Sequence, residues 1–404
     1  MAVGLTAPSE LASVAGIRLG VASAGIKKPG RRDLVVMEIA PGSTCAAMFT
    51  RNAFCAAPVI VAREHLDAQA PRYLLINTGN ANAGTGTPGL EHARRSCASL
   101  ARAAGCGAGE VLPFSTGVIG EPLPVDKIEA AIPAALDALR ADAWVDAAHG
   151  IMTTDTLPKG ASRQLDLDGK RVTLTGIAKG AGMIRPDMAT MLCFIATDAA
   201  LPQVLLQRAL VQAVNASFNR ITVDGDTSTN DSCVLVATGA AGVSLAVDEP
   251  AFADFVAALT GLCIELAQAI VRDGEGATKF VTVEVAEGRD SGECLQTAYT
   301  IAHSPLVKTA LFASDPNWGR ILAAVGRAGL DDLALERVRV FLGDVCIVSA
   351  GGRDPAYTEA AGQAVMRGEE ILIRVLLGRG DACERIWTTD FSYDYVKINA
   401  EYRT

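Results

Sequence analysis

The chain has 404 residues, a length that predicts two domains or one large sandwich with an appendage. Half of its residues are hydrophobic and only 20% are charged, so the sequence predicts a large core and argues against disorder. The net charge is −9 and no long basic block is present, which excludes nucleic acid and anionic membranes as expected partners.

Short apolar runs separated by turns dominate the first third of the chain and predict alternating strands and helices. The stretch 73–86, "YLLINTGNANAGTG", reads as a buried strand that continues into a Gly/Asn loop. The stretch 110–124 predicts a strand, a tight turn and a proline-bounded exit. The remaining predicted elements here are strands at 33–40 and 57–62 and helices at 88–105 and 125–140.

The second half begins with a predicted hairpin at 163–180, whose turn is Asp168-Gly169. Helical spacing follows at 201–218, where Pro202 stands at the start, and again at 250–274. The final hundred residues are predicted to repeat the strand–helix alternation, with the acidic loop 286–293 as a domain boundary. Strands are predicted at 190–199, 233–241 and 279–288. The fold class is therefore α/β, with layers of helix and sheet.

Cysteine, histidine and apolar patterns exclude several functions. The ten cysteines are scattered without a C-x-x-C motif, which indicates reduced thiols in a cytoplasmic protein. The four histidines are isolated, so we expect no metal site and no Ser-His-Asp triad. No apolar run approaches the length that crosses a bilayer, and we expect no signal peptide because Glu10 interrupts the apolar N-terminal stretch.

Gly84-x-Gly86-x-x-Gly89 lies between a predicted strand and a predicted helix, as a dinucleotide fingerprint does. Pro88 removes one of the amides that would hold a pyrophosphate, and no acidic residue follows at the expected distance. The pattern therefore favours a loop whose glycines let chains pass closely.

Four polar stretches each allow a functional and a structural interpretation. Thr116-Gly117 could offer two donors to one oxyanion or form an ordinary turn. The stretches 152–160 and 222–232 could line a pocket for a zwitterion or form capped turns. Glu275 lies between two glycines, and a helix C-cap accounts for Gly274 but not for the carboxylate.

The stretch "IRPDMATMLCF" (184–194) places a turn and Ala189-Thr190 at the entrance to a buried strand. A threonine hydroxyl is a weak nucleophile without a neighbouring base, and no histidine is near. Self-cleavage before Thr190 would free an α-amine with a pKa near 8, which could act as that base. The chemistry leaves this as one possibility among several.

At this point the sequence resembles a known family. "AKGAGMIRPDMATMLCFIATDA" (178–199) is similar to the self-cleavage segment of the bifunctional ornithine acetyltransferase/N-acetylglutamate synthase family, the ArgJ type of arginine biosynthesis. Further blocks resemble the family in order along essentially the whole chain: "LINTGNANAGTG", "STGVIGEPLP", "MTTDTLPK", "TVDGDTSTND", "EGATKFVTVEV", "SDPNWGRI" and "YVKINAEYRT".

The resemblance implies a layered αββα sandwich of the ArgJ/DmpA type that processes itself into two chains. Cleavage between Ala189 and Thr190 would give an α-chain of 1–189 and a β-chain of 190–404, of which about 285–404 would form a C-terminal subdomain. Thr190 would be the nucleophile, and Thr116 and Gly117 would form the oxyanion hole. The implied substrate-contacting residues are Thr153, Lys179, Thr190, Glu275, Asn399 and Thr404.

The implied reaction is ping-pong acetyl transfer from N2-acetylornithine to glutamate through Thr190, with acetyl-CoA as a second donor to be considered. The implied mechanism needs no cofactor, and the implied assembly is α2β2 or larger. Lys179 could pair with a substrate carboxylate and Glu275 with an amine. Two alternatives stay open: a self-processed aminopeptidase or amidase that passes the acyl group to water, and a non-catalytic amino-acid-binding protein.

Overall fold

The computed structural model describes residues 2–167, 169–185, 191–246 and 250–401. These residues form two compact units. The larger unit comprises Thr6–Asn219 and Asp226–Ile270, and the smaller unit comprises residues 1–5, 220–225 and 271–404. The predicted turn residue Asp168 and the junction Ala189-Thr190 lie outside the described residues.

The larger unit contains two β-sheets. Its strands are β1 (Ile17–Ala22), β2 (Leu34–Ile39), β3 (Thr44–Phe49), β4 (Tyr73–Asn80), β5 (Val111–Val118), β6 (Lys159–Leu167), β7 (Lys170–Lys179), β8 (Leu192–Thr197) and β9 (Ser232–Ala237). The first sheet has the order β1-β2-β4-β5, with β4 and β5 parallel. The second has the order β3-β9-β8-β7-β6, with β8 and β9 parallel.

All but one of the described helices of the larger unit pack on the outer faces of the two sheets. The helices are α1 (Ala57–Ala68), α2 (Gly86–Ala104), α3 (Val125–Asp137), α4 (Trp144–Gly150), α5 (Gln203–Ala216) and α6 (Pro250–Arg272). Buried residues of α1, α2 and α3 pack against the outer face of the first sheet. On the second sheet, α5 side chains donate to carbonyls of β3, and Leu262 and Leu266 of α6 approach Gly176 of β7. The exception is α4, whose Trp144 contributes to the core between the sheets.

The two sheets bury their inner faces against each other. One apolar core combines residues of the first sheet, such as Met37 and Ile76, with residues of the second, such as Ile177 and Val234. The rings of Phe114 on β5 and Phe194 on β8 meet edge to face across it, at a centroid distance of 5.1 Å. The order of layers is helix, sheet, sheet, helix. The predicted αββα sandwich is confirmed in this unit.

The smaller unit has one mixed sheet with helices packed on it. Its elements are β10 (Phe280–Gly288), α7 (Ser291–Ala302), α8 (Pro305–Phe312), α9 (Trp318–Gly326), β11 (Arg339–Leu342), β12 (Val345–Ser349), β13 (Gly352–Arg353), α10 (Glu359–Met366), β14 (Glu370–Leu376), β15 (Ala382–Thr389) and α11 (Tyr393–Ala400). The strand order is β13-β12-β11-β14-β10-β15. Apolar residues of α7, α8 and α9 share a core with β10, β11 and β14. The acidic stretch 286–293 lies within this unit and spans the end of β10 and the start of α7.

Most predicted elements are present, but two predictions are wrong. The run 57–62, "APVIVA", begins helix α1 and is not a strand. A six-residue apolar run does not distinguish a strand from a buried helical turn by periodicity, and Pro58 fits the first turn of a helix because its φ is already helical. The final hundred residues do not simply alternate, because α7, α8 and α9 follow one another and β11–β13 form an antiparallel run.

The expectation that no apolar run approaches membrane-spanning length is also wrong. Helix α6 is long and apolar enough to cross a bilayer by length and composition alone. Several of its apolar side chains, among them Phe255, Leu259 and Leu266, are fully buried within the protein. A core helix with a wide buried face can reach the same mean composition as a membrane helix.

Candidate active site

Thr116 and Gly117 lie near the end of β5, where β5 pairs with β4. Gly117 has a φ of +139°, a conformation that side-chain-bearing residues rarely adopt. A Cβ atom at Gly117 would overlap the backbone of Gly79 and Asn80 on β4. Glycine is therefore required here for a close approach of two strands, which an ordinary turn would not require.

Lys179 connects this strand to the second sheet of the sandwich. Its Nζ donates to Thr116 Oγ1 at 3.1 Å, and both side chains are buried. Lys179 is the last residue of β7, where it lies opposite Leu192 of β8. Leu192 is two residues beyond Thr190 in the sequence, so the lysine lies close to the chain segment that follows the predicted nucleophile.

Asp155 organises the loop that carries Thr153. Its Oδ2 accepts a hydrogen bond from Thr153 N at 2.9 Å, and its Oδ1 accepts from Gly180 N at 2.7 Å. Lys159 Nζ donates to the same Oδ1 at 2.7 Å, in a pair whose side chains are completely buried. Burial alone would raise the pKa of Asp155, but the charges of Lys159 and Lys179 and these hydrogen bonds lower it. Asp155 is therefore an ionised structural anchor between Thr153 and the residue that follows Lys179.

Asn230 and Asp231, which the sequence did not single out, link β5 to the residue that precedes β8. Asn230 Nδ2 donates to Ser115 O at 2.9 Å, next to Thr116. Asp231 Oδ1 accepts from Met191 N at 3.0 Å, next to Thr190 in the sequence. The available signal was the Asn-Asp pair that ends the hydroxyl-rich stretch 222–232 directly before the buried strand β9. Its partners depend on tertiary pairing and are not encoded locally.

Glu275 and Asn399 lie together in the smaller unit. Asn399 Nδ2 donates to Glu275 Oε2 at 2.9 Å and also to Tyr395 O at 3.0 Å. Glu275 is 8% exposed. Gly276 has a φ of +67°, and a Cβ atom there would overlap Tyr395 N. The loop thus needs glycine after the carboxylate so that it can pack against α11.

The C-cap interpretation of Gly274 is wrong. Its φ is not positive, unlike that of Gly276. A Cβ atom on Gly274 would lie 3.0 Å from the Thr389 methyl group, so the residue is small in order to pack against β15.

The glycine loop 77–89 has the structural role that its pattern favoured. A Cβ atom on Gly89 would overlap the side chain of Thr85, and Asn82 Nδ2 donates to Gly89 O at 2.9 Å. The glycine therefore lets the loop fold closely onto the start of α2.

The predicted site residues thus form two groups. In the larger unit, Thr116 contacts Lys179, Gly117 follows Thr116 on β5, and Thr153 is linked to Gly180 through Asp155. In the smaller unit, Glu275 contacts Asn399. Ala189, Thr190 and Thr404 lie outside the described residues.

These observations define an αββα sandwich with a buried threonine–lysine contact, and comparisons assign its family. The model of the ArgJ family matches residues 18–404. The arginine biosynthesis bifunctional protein ArgJ from Pseudomonas fluorescens strain Pf0-1 is 63% identical over 407 residues, covering 100% of both chains. The chain belongs to the ArgJ family. It is an acyltransferase of arginine biosynthesis.

Two solved structures are also similar. That of the ArgJ bifunctional protein from Bacillus halodurans is 40% identical and covers 50% of this chain and 95% of its own, with a TM-score of 0.48. That of ornithine acetyltransferase from Mycobacterium tuberculosis, complexed with ornithine, is 33% identical and covers 44% of this chain and 94% of its own, with a TM-score of 0.38.

Proposed function

We propose that this chain is a glutamate N-acetyltransferase that moves the acetyl group of N2-acetylornithine to glutamate. The transfer is ping-pong and passes through Thr190, after self-cleavage between Ala189 and Thr190 into an α-chain of 1–189 and a β-chain of 190–404. The observation that carries the proposal is the buried contact of Lys179 with Thr116, beside Gly117 and opposite Leu192.

The contact between Lys179 and Thr116 suits an oxyanion hole. The ammonium group donates to Thr116 Oγ1, so the hydroxyl proton of Thr116 is directed elsewhere and can be donated. A hydroxyl polarised by a buried cation, together with the Gly117 amide, would stabilise the oxygen that becomes negative when an acyl group is attacked. Both groups stand on strands of a packed sandwich, which fixes them before the substrate binds.

In the proposed first half-reaction, the Thr190 hydroxyl attacks the acetyl carbon while its own α-amine accepts the proton. Thr116 and Gly117 hold the oxyanion, and ornithine leaves. In the second half-reaction, the amine of glutamate attacks the acetyl-enzyme, which gives N-acetylglutamate and restores Thr190. Thr153, Lys179, Glu275, Asn399 and Thr404 are proposed to bind the amino-acid portions of the substrates.

The proposal extends to partners and location. We expect the α- and β-chains to remain associated as α2β2 or a larger assembly, in the cytoplasm. Acetyl-CoA is proposed as a second acetyl donor, because the similar Pseudomonas protein is named bifunctional.

The decisive experiment supplies glutamate with either N2-acetylornithine or acetyl-CoA and quantifies N-acetylglutamate. We expect product with N2-acetylornithine, and protein incubated with this donor alone should carry one acetyl group on the fragment that begins at Thr190. Release of acetate to water without transfer to glutamate would instead support the aminopeptidase or amidase alternative. An unacetylated protein with no turnover would contradict the proposal.

A further inference from the structure

Asp231 is a buried carboxyl group that the proposed mechanism does not use. It is 1% exposed and directly precedes β9. Oδ1 accepts a hydrogen bond from Met191 N, whereas Oδ2 has no partner of normal geometry in the part of the chain that the structure describes. An unsatisfied buried carboxyl oxygen is unfavourable, so a group that persists in this state calls for an explanation.

The surroundings of Asp231 favour its protonated form. Burial raises the pKa of Asp231 well above its usual range, against the opposing influence of the Met191 amide, the Ser228 hydroxyl and the Lys179 charge. Cys55 is also close enough to interact with it electrostatically. The carboxyl group therefore keeps its proton to a higher pH than a solvent-exposed aspartate does.

The position of Asp231 is fixed relative to the proposed cut. Met191 is held from both sides, because its N–H donates to Asp231 and its carbonyl accepts from Ser232 N at 3.1 Å. The backbone nitrogen of Thr190 is three covalent bonds from that of Met191, which limits their separation to about 4 Å. Asp231 is thus hydrogen-bonded to the residue that directly follows the proposed cut, and its second oxygen keeps no partner of normal geometry among the described residues.

We propose that Asp231 is the acid of self-cleavage: it delivers its proton to the Thr190 nitrogen as the bond to Ala189 breaks. This inference rests on the proposed cut at Ala189-Thr190. In this proposal Asp231 protonates the amide nitrogen, which allows that nitrogen to leave as the C–N bond breaks.

The step balances as follows. The Thr190 Oγ–C bond to the Ala189 carbonyl forms, and the C–N bond between Ala189 and Thr190 breaks. The hydroxyl proton and the Asp231 proton both pass to the nitrogen, which becomes an ammonium. Water then hydrolyses the ester, which gives the Ala189 carboxylate, restores the Thr190 hydroxyl and releases a proton to the solvent. The ammonium returns one proton to the Asp231 carboxylate, which leaves the free α-amine that serves as the base of acetyl transfer.

The test follows self-cleavage of full-length chains made by cell-free translation and transferred to buffers between pH 4 and 10, with fragments read by intact mass. The wild-type rate should fall as the pH rises, at a pH above the range in which an exposed aspartate titrates. Asp231→Asn keeps an acceptor for Met191 N but has no proton to give, so below that fall it should cleave roughly 100-fold more slowly than wild type, and its own rate should show no such fall.

Asp198→Asn is the matched control. Asp198 is also buried, accepts one backbone amide hydrogen bond from Thr173 at 2.7 Å and has a raised pKa through burial, but it follows the opposite end of β8. It should cleave with the wild-type rate and pH profile.

Normal cleavage of Asp231→Asn, or a wild-type rate that does not fall with pH, would overturn the inference. If circular dichroism shows that Asp231→Asn is unfolded, the dependence of the wild-type cleavage rate on pH alone tests the inference. Thr190→Ala separates the two proposals: if it is uncleaved and inactive while Asp231→Asn cleaves normally, only the role of Asp231 fails.

Discussion

Two buried carboxylates near the predicted site residues, Asp155 and Glu275, are held by opposite kinds of partner. Asp155 in the larger unit accepts from the Lys159 ammonium and from two backbone amides. Glu275 in the smaller unit accepts from the neutral amide of Asn399. The first carboxylate stands beside strands of a packed sandwich, and the second lies in a loop against α11, a helix that buries none of its residues.

This difference indicates a division of labour. A carboxylate whose charge is already neutralised by a buried lysine has little to offer a substrate, and breaking the pair leaves an uncompensated charge. A carboxylate held by a neutral amide can bind the ammonium group of an amino acid without giving up an existing ion pair. We therefore expect changes at Asp155 to affect stability and changes at Glu275 to affect substrate handling.

The largest expected effect belongs to Thr190, because both proposed events need the same hydroxyl. Thr190→Ala should leave one uncleaved chain and abolish acetyl transfer, whatever the state of the two carboxylates. Thr190→Ser should retain part of both, because only the methyl group that restricts the rotamer is lost. Intact-mass spectrometry measures chain length and acetyl adduct together. A fully active, uncleaved Thr190→Ala protein would contradict the mechanism.

Asp155→Asn should have the next largest effect, on stability. It leaves Lys159 charged and buried without its carboxylate, which typically costs about 3–5 kcal/mol of unfolding free energy. Urea denaturation measures the change. Glu64→Gln is the control, because Glu64 pairs with Arg94 at 2.8 Å and both side chains are about half exposed. A pair of that kind contributes no more than about 1 kcal/mol, and equal losses in the two variants would remove the special role of Asp155.

Much of the fold could be predicted from the sequence, but the different partners of Asp155 and Glu275 could not. The hairpin at 163–180 and the helix at 88–105 were predictable because their apolar periodicity is local. Segment 57–62 was not, since its burial on the first sheet and its continuation as a helix depend on residues beyond it. The stretch 152–160 was recognised as polar, but its aspartate has its partners on β6 and directly after β7, and only tertiary structure reveals that it is an anchor.

Glu275→Gln should have a smaller effect, confined to kinetics. The glutamine keeps an oxygen acceptor for Asn399, so stability should hardly change. A charged hydrogen bond to a substrate amine is worth about 1.5–3 kcal/mol, so its loss should reduce kcat/KM roughly 10- to 150-fold. Glu287→Gln is the control, since Glu287 pairs with Arg339 at 3.0 Å on the exposed surface of the same unit. Unchanged kinetics with both substrates would remove Glu275 from the site.

The smallest expected effect concerns Lys308, a buried lysine that can be compared with Lys159, the partner of Asp155. Lys308 of α8 donates to Thr388 Oγ1 at 3.1 Å and to the Thr389 carbonyl, where Lys159 has a carboxylate. Burial lowers the pKa of Lys308 to about 7, against the attraction of Asp390 and Asp224. Between this value and the unfolded pKa near 10.4, the unfolded chain binds more protons, so stability must rise with pH.

Lys308→Met removes this titration, so the difference in unfolding free energy between wild type and variant should move in favour of wild type from pH 8 to pH 9. One proton limits this change to about 1.4 kcal/mol over one pH unit. Denaturation midpoints in matched buffers measure it, and other titrating groups cancel in the difference. Parallel curves would mean that Lys308 keeps its proton as readily in the folded protein as in the unfolded chain. The hydroxyl and carbonyl partners of Lys308 would then replace a carboxylate fully, and the contrast with Lys159 would have no energetic content.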